Sequence, residues 1–291
     1  RNLIGSSDII NTRYASLSKA STSEDVDLSL DLKDLPVNIS QIAISPSKTK
    51  LFSLMSDGVR GIFSNIDGGS AVGIFDTPFK EWLATWPEEK TILLNTKPSG
   101  FAPGFAYFLN TQTKQITRIL GDIYGLTTLA SPDLSTILFS ESGSGLFTLN
   151  AYDTKYNFRY EVPLRTLPEK CVWAKTEKNV IYCAVPENIA FSTYPDVWYQ
   201  GQINFADSIW KYNLQTGESR EISNIQNEFG QVIDAINLSI SPSDDYLIFT
   251  NKVDLTLWGI QLVEPVKKIQ INPLDAINSS STSTSTASST R

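Results

Sequence analysis

The chain contains no histidine. Ser and Cys triads use histidine as their general base, so neither is expected. Zinc and iron sites use it as their commonest ligand. With only two cysteines, a transition-metal centre would rest on carboxylates alone. No metal, no cofactor and no catalytic apparatus are expected. Basic clusters are missing as well: 24 Lys and Arg stand against 31 Asp and Glu, a net charge of −7. Neutralising phosphates needs Lys and Arg, so nucleic acid is not an expected partner. Long apolar runs are absent too. None approaches the ~20 residues that cross a bilayer, and no membrane span is expected. The chain starts at Arg1 rather than Met, which leaves an upstream signal peptide or membrane anchor open.

What is present is a repeat. Leu129-Ala130-Ser131-Pro132-Asp133-Leu134-Ser135-Thr136-Ile137-Leu138-Phe139 reads as a strand end, a tight turn and an apolar strand. The phrase recurs at Ile44-Ser45-Pro46, at Thr85-Trp86-Pro87, at Trp173-Ala174-Lys175 and at Ile240-Ser241-Pro242. Pro46 to Pro87 is 41 positions, Pro87 to Pro132 is 45, and Pro132 to Ala174 is 42. Ala174 to Pro242 is 68 positions, one unit carrying an insertion of roughly 25 residues on that period. A period near 40 to 45 with several strands per unit is that of a propeller blade. The strands Ile92-Leu93-Leu94, Ile137-Leu138-Phe139, Val180-Ile181-Tyr182 and Leu247-Ile248-Phe249 are apolar without alternation. A strand with one wet face alternates; a strand pressed between two sheets does not. Polar turns such as Asp153-Thr154-Lys155 and Gln215-Thr216-Gly217-Glu218 close the units.

The repeat resembles the WD-like propeller repeats of the TolB type. In that family a unit runs aromatic-Ser-Pro-Asp-Gly, an apolar strand, an aromatic strand, then Asp-x-x-Thr-Gly. Ser131-Pro132-Asp133, Ser241-Pro242-Ser243-Asp244 and Gln215-Thr216-Gly217 match best. The Asp-Gly pair is degenerate in every copy, and the fourth copy lacks Ser-Pro. The resemblance covers about residues 38 to 272. It implies an all-β propeller with four-stranded antiparallel blades. The expected count is about six: five clear repeats plus an irregular N-terminal blade from residues 1–37, whose strands could instead be the outer strands that complete the last blade. Residues 38–273 would form the repeats, with the insertion near 186–207. The Ser/Thr-rich tail 274–291 cannot bury a core and is expected to be disordered.

Cys171 and Cys183 lie on consecutive strands of the fourth copy, with the turn near Glu177. A cross-strand disulfide fits that spacing and implies an oxidising compartment. Two buried thiols are the other reading. Asn38-Ile39-Ser40 and Asn237-Leu238-Ser239 match the glycosylation pattern. Both sit at the lead-in to a blade's first strand, and we read them as chance sequons with a structural cause.

Function concentrates in the 186–207 insertion. Long loops on compact repeat folds often carry function. Tyr194, Trp198 and Tyr199 with Asp196, Gln200 and Asn204 form a candidate binding set, because rings stack and amides bridge hydroxyls. The alternative is that these rings pack the loop onto the blade or plug the channel. The run Tyr194-Pro195-Asp196-Val197-Trp198-Tyr199-Gln200-Gly201 also resembles a stretch of bacterial envelope propellers. The expected protein is a non-catalytic module, extracytoplasmic or in the cell envelope, binding a protein, peptide or glycan at its top face. A carboxylate-based glycan-cleaving enzyme is the second reading. Glu141, Glu187, Asp196 and Asp207 are available to it, but no spacing selects a pair. An accessory propeller of a peptidase is the third.

Overall fold

A computed structural model describes residues 9–19, 28–57, 60–77 and 81–262. The expected tail at 274–291 lies outside the described residues. A hairpin comes first, with β1 (Arg13–Lys19) paired antiparallel to β2 (Leu28–Asp34). Blade 1 is β3 (Ile39–Ile44), β4 (Lys50–Met55), β5 (Arg60–Asn65) and β6 (Val72–Asp76). Blade 2 is β7 (Trp82–Glu88), β8 (Thr91–Thr96), β9 (Pro103–Asn110) and β10 (Ile116–Tyr124). Blade 3 is β11 (Thr128–Ala130), β12 (Thr136–Gly143), β13 (Leu146–Asp153) and β14 (Phe158–Val162). Blade 4 is β15 (Cys171–Trp173), β16 (Val180–Pro186), β17 (Asp207–Asn213) and β18 (Ser219–Asn224). Blade 5 shows three strands, β19 (Ala235–Ile240), β20 (Tyr246–Asn251) and β21 (Leu257–Gln261). Every pairing within these sheets is antiparallel, and the five repeats are the five blades of a propeller.

The second strand of each inner blade divides its side chains between two neighbours. On β8, Ile92 and Leu94 pack toward blade 1, while Leu93 packs toward blade 3. On β12, Ile137 and Phe139 face blade 2, and Leu138 faces blade 4. On β16, Ile181 and Cys183 join blade 3, while Val180 and Tyr182 join blade 5. Both faces are dry, which is why these strands do not alternate. Blade 5 departs from that pattern. Leu247 and Phe249 are buried against blade 4, but Ile248 keeps 42% of its surface. Among the described residues no buried cluster joins blade 5 to blade 1. The five clear repeats are the five blades, and the irregular N-terminal unit is the β1–β2 hairpin. The described part of residues 1–37 forms this two-stranded sheet, on which Leu30 and Leu32 are exposed; among the described residues no other strand pairs with it. Leu35 and Tyr14 pack instead on Leu51 and Met55 of blade 1.

The repeated Ser-Pro turn has a local cause. The Ser131 Oγ accepts from Thr136 N at 3.0 Å and donates to Asp133 Oδ1 at 2.7 Å. Asp133 also accepts from Ser135 N and Ser135 Oγ. Burial works against the charged form of Asp133, but these bonds win and hold it down to about 2. The Ser45 and Ser241 hydroxyls accept backbone N–H groups in the same way. Lys48, Leu134 and Asp244 occupy the fourth turn position with φ of 58°, 58° and 59°. That is the position where the TolB-type pattern has glycine. The side chain of Asp244 also reaches across to blade 4, accepting from Lys175 N and Thr176 N at 2.8 Å each. Asn38 and Asn237 likewise take positive φ, 63° and 54°, beside register shifts in β3 and β19. Asparagine is there for the backbone. Cys171 and Cys183 are paired in register and joined by a disulfide.

Lys48 is exposed, so Lys48→Gly should relieve left-handed strain and raise stability by about 1 kcal/mol in urea unfolding. Leu138→Ala should cost about 2–5 kcal/mol, since Leu138 is fully buried between blades. Ile248→Ala should cost well under half of that, because one side of β20 is open. Equal losses for the two would contradict the one-sided burial of blade 5.

Candidate functional site

In antiparallel blades the Ser-Pro turns fall on one face of the ring. The links between second and third strands, and those between blades, fall on the other. The candidate site is built on that second face. Its centrepiece is the insertion between β16 and β17, which contains one short helix, α1 (Asp196–Tyr199). The Tyr194–Pro195 peptide before it is cis.

The insertion is fastened to three other blades. Asp196 accepts from Ser99 Oγ at 2.8 Å and from Gly100 N at 2.7 Å, both in the β8–β9 loop. A Cβ at Gly100 would lie 2.6 Å from Tyr194 O, so this approach requires glycine. Ser192 N donates to Gly145 O in the β12–β13 turn. Trp198 Nε1 donates to Asp234 Oδ2 at 2.7 Å, at the entry to blade 5. Tyr194, Trp198 and Phe205 close over Phe147 and Leu167 as one apolar cluster. Tyr194 stands edge-on to Phe147 at 4.8 Å between centroids.

Beneath this layer lies a fully buried charge cluster. Lys170 sits at the end of a 3-10 turn, Pro168–Lys170, that leads into β15. Its Nζ is 2.6 Å from Asp234 Oδ1, 2.7 Å from Asp207 Oδ2 and 2.9 Å from Ala235 O. All three charged side chains are completely buried. Asp234 Oδ2 takes Trp198 Nε1 and Phe205 N, and Asp207 Oδ2 takes Ala235 N. Asp207 Oδ1 has no protein partner. Burial pushes the Asp207 carboxyl up to about 6, with Lys170 pulling it back down and Asp234 adding to the rise. One ammonium faces two carboxylates, so N–H donors carry the remaining compensation.

Beside Trp198 the channel opens into a cavity of about 430 Å³. Gln41, Ala84, Thr128 and Ile236 line it from the first strands of blades 1, 2, 3 and 5. Glu169, Trp198 and Tyr199 line it from blade 4, and Lys252 from the β20–β21 turn. Tyr199 OH donates to Glu169 Oε1 at 2.5 Å. Burial lifts the Glu169 carboxyl above the usual carboxylate range, against the pull of that hydrogen bond. Burial, and Glu169 beside it, lift the Tyr199 phenol far above its ordinary value. Tyr199 keeps 37% of its surface and borders the cavity. A second cavity, bordered by Glu81, Lys97, Pro98, Glu169 and Tyr199, adjoins it toward blades 1 and 2.

The insertion's candidate residues separate by role. Tyr194 is buried under the loop, and Asp196 is occupied in holding the β8–β9 loop. Trp198 is only 3% exposed yet borders the cavity. Gln200 is exposed and accepts from Gln202 Nε2. Asn204 Oδ1 accepts from Lys252 Nζ at 3.4 Å. Of the whole set, Trp198 and Tyr199 alone reach the cavity. Sequence reasoning passed over Glu169, Lys170, Asp234 and Lys252. Asp234 alone carries a faint signal, a charge set among Val232, Ile233, Ala235 and Ile236.

No family model and no curated protein sequence matches the chain. Solved structures do match. A putative TolB from Agrobacterium tumefaciens superposes with a TM-score of 0.53 at 11% identity, over 77% of this chain and 73% of that one. The tricorn protease aligns with a TM-score of 0.53 at 9% identity, over 86% of this chain and 28% of its own. An acylaminoacyl peptidase from Pyrococcus horikoshii gives 0.53 at 12% identity, over 89% of this chain and 46% of its own. The chain therefore has a TolB-like propeller fold, and it spans less than half the length of either peptidase.

The raised Asp207 value fixes a sign. A carboxyl whose folded value lies above its unfolded value favours the folded state when protonated. Its contribution is present below the ordinary 3.8 and is lost as pH rises to about 6. Asp207→Asn should remove that slope. The stability of the variant relative to wild type should improve from pH 4 to pH 7 in urea titrations. A difference that stays constant or worsens over that range would show that Asp207 is charged throughout.

Proposed function

We propose that this chain is a non-catalytic ligand-binding propeller module of an exported or envelope-anchored protein. The ligand, a peptide, protein segment or glycan, enters the channel face and seats against Tyr199. One observation carries the reading. The cavity of about 430 Å³ sits where blades 1, 2, 3 and 5 and the insertion converge, with apolar walls and a few polar groups pointing in. Binding sites of globular proteins are built that way. The insertion contributes as a fixed wall: Trp198 is anchored below, and Tyr199, next in sequence, is left facing the space.

The disulfide between Cys171 and Cys183 supports an oxidising compartment. Among the described residues no helix is long and apolar enough to cross a membrane. The carboxylates Glu141, Glu187, Asp196 and Asp207, weighed for glycan cleavage, do not line the channel cavity. Glu169 lines it instead, hydrogen-bonded to Tyr199.

Thr85 is exposed at the cavity wall, and Thr85→Trp should fill the space without disturbing a core. Fragments that bind the wild-type chain in saturation-transfer NMR should lose their signal with this variant, while its circular dichroism stays unchanged. A fragment library that binds both proteins alike, or neither, would remove the channel as the site.

A further inference from the structure

The cavity also carries a sign of charge. Lys252 projects into it from the β20–β21 turn, whose backbone is held by Lys252 N donating to Asp234 O at 2.8 Å. Its ammonium lies 5.3 Å over the Trp198 ring and has one long hydrogen bond, 3.4 Å to Asn204 Oδ1. Among the described residues no carboxylate lies within 4.0 Å of it. The carboxylate of the neighbouring cluster is already engaged: Asp234 gives one oxygen to Lys170 and the other to Trp198 and Phe205. Glu169, across the same cavity, is held by Tyr199, and burial disfavours its charged form. The contrast with Lys170 is direct. Each lysine lies beside Trp198, but one is matched by two carboxylates and the other by none. A cation in a partly enclosed site gains most from an acceptor that is itself charged. Leu83, Ala84, Leu93 and Ile236 give the wall its apolar part, beside the neutral polar Gln41, Thr85, Asn95, Thr128 and Asn237.

Resting on the channel-binding reading, we propose that the cavity takes a ligand with a carboxylate on an apolar body, the carboxylate pairing with Lys252. Two sources share that chemistry: a free small organic acid, and the C-terminal carboxylate of a peptide ending in an apolar residue. The chain's net charge of −7 gives such an anion no general attraction. Recognition must therefore come from the local ammonium, which makes it testable at one residue.

The test uses the full chain and matched probes. They are 3-phenylpropionate against 3-phenylpropanamide, and acetyl-Ala-Ala-Phe with a free against an amidated C-terminus, titrated by NMR. The acids should bind, and each amide should bind about tenfold more weakly. Lys252→Met should abolish the preference for the acid, and Lys252→Arg should retain it. The tighter of the two acid probes identifies the source. If acid and amide bind equally, or if Lys252→Met keeps the preference, the carboxylate inference is overturned while the channel remains a site. The same holds if these probes fail but other fragments bind and are displaced by Thr85→Trp. If no fragment of any kind binds the wild-type chain, the channel reading and this inference fall together.

Discussion

A four-stranded sheet has two faces, and water must be kept from both wherever both are apolar. That constraint organises the molecule. Blades 2, 3 and 4 meet it by splitting each second strand between two neighbours. Ile137 and Phe139 go one way and Leu138 the other. Radial packing follows, because in a propeller each inner blade presses a neighbour against both of its faces while its first strand stays near the centre. The channel is then a by-product of geometry. First strands meet at the centre, and the links on one face crowd around the opening. Function can collect there because those links are not bound by the packing rule that fixes the strands.

The buried cluster of Lys170, Asp207 and Asp234 ties that face together. Its parts come from the link before β15, from the end of the insertion and from the link before β19. Three segments far apart in sequence thus share one set of charge-assisted bonds. Buried ion pairs of this kind are weak evidence for net stability, since desolvation offsets most of their attraction. Their effect is on geometry. Asp234 can satisfy both oxygens only if Trp198 and Phe205 stand where they do. The insertion is held in one arrangement, and Tyr199 faces the channel as a consequence.

The repeat, the apolar strands and the closing turns were legible because each reflects a local or periodic requirement. The Ser-Pro turn could be read because a serine hydroxyl accepts the same backbone groups in copy after copy. The degenerate glycine was visible as a departure, and the left-handed Lys48, Leu134 and Asp244 show that the backbone demand persists without it. The one-sided burial of β20 was not legible. Leu247-Ile248-Phe249 has the composition of a doubly covered strand, and only its place in the ring leaves Ile248 open. The insertion stood out in the sequence as a long aromatic-rich loop, but its aromatics looked interchangeable. Trp198 and Tyr199 are adjacent, and a helical turn sends one down to Asp234 and the other to Glu169. The charges were hardest to read, because the partners of Lys170 lie up to 65 positions away.

Two lysines around one tryptophan show what a sequence conceals and a structure separates. Lys170 and Lys252 both lie within about 5 Å of the Trp198 ring, at 5.2 and 5.3 Å. The first is enclosed with two carboxylates, and its cluster carries excess negative charge. That excess is met by backbone and indole N–H groups, not by the second lysine. Lys252 contributes only its backbone N–H to Asp234, through the main-chain oxygen. Apart from Asp207 Oδ1, the fold thus meets the oxygens of these internal acids without drawing on the ammonium at the cavity wall. A charge that the packing does not consume, beside an apolar space of molecular size, is where selection by a ligand has room to act. In a scaffold whose architecture is shared by proteins with unrelated tasks, such a surplus is a better guide to function than the fold itself.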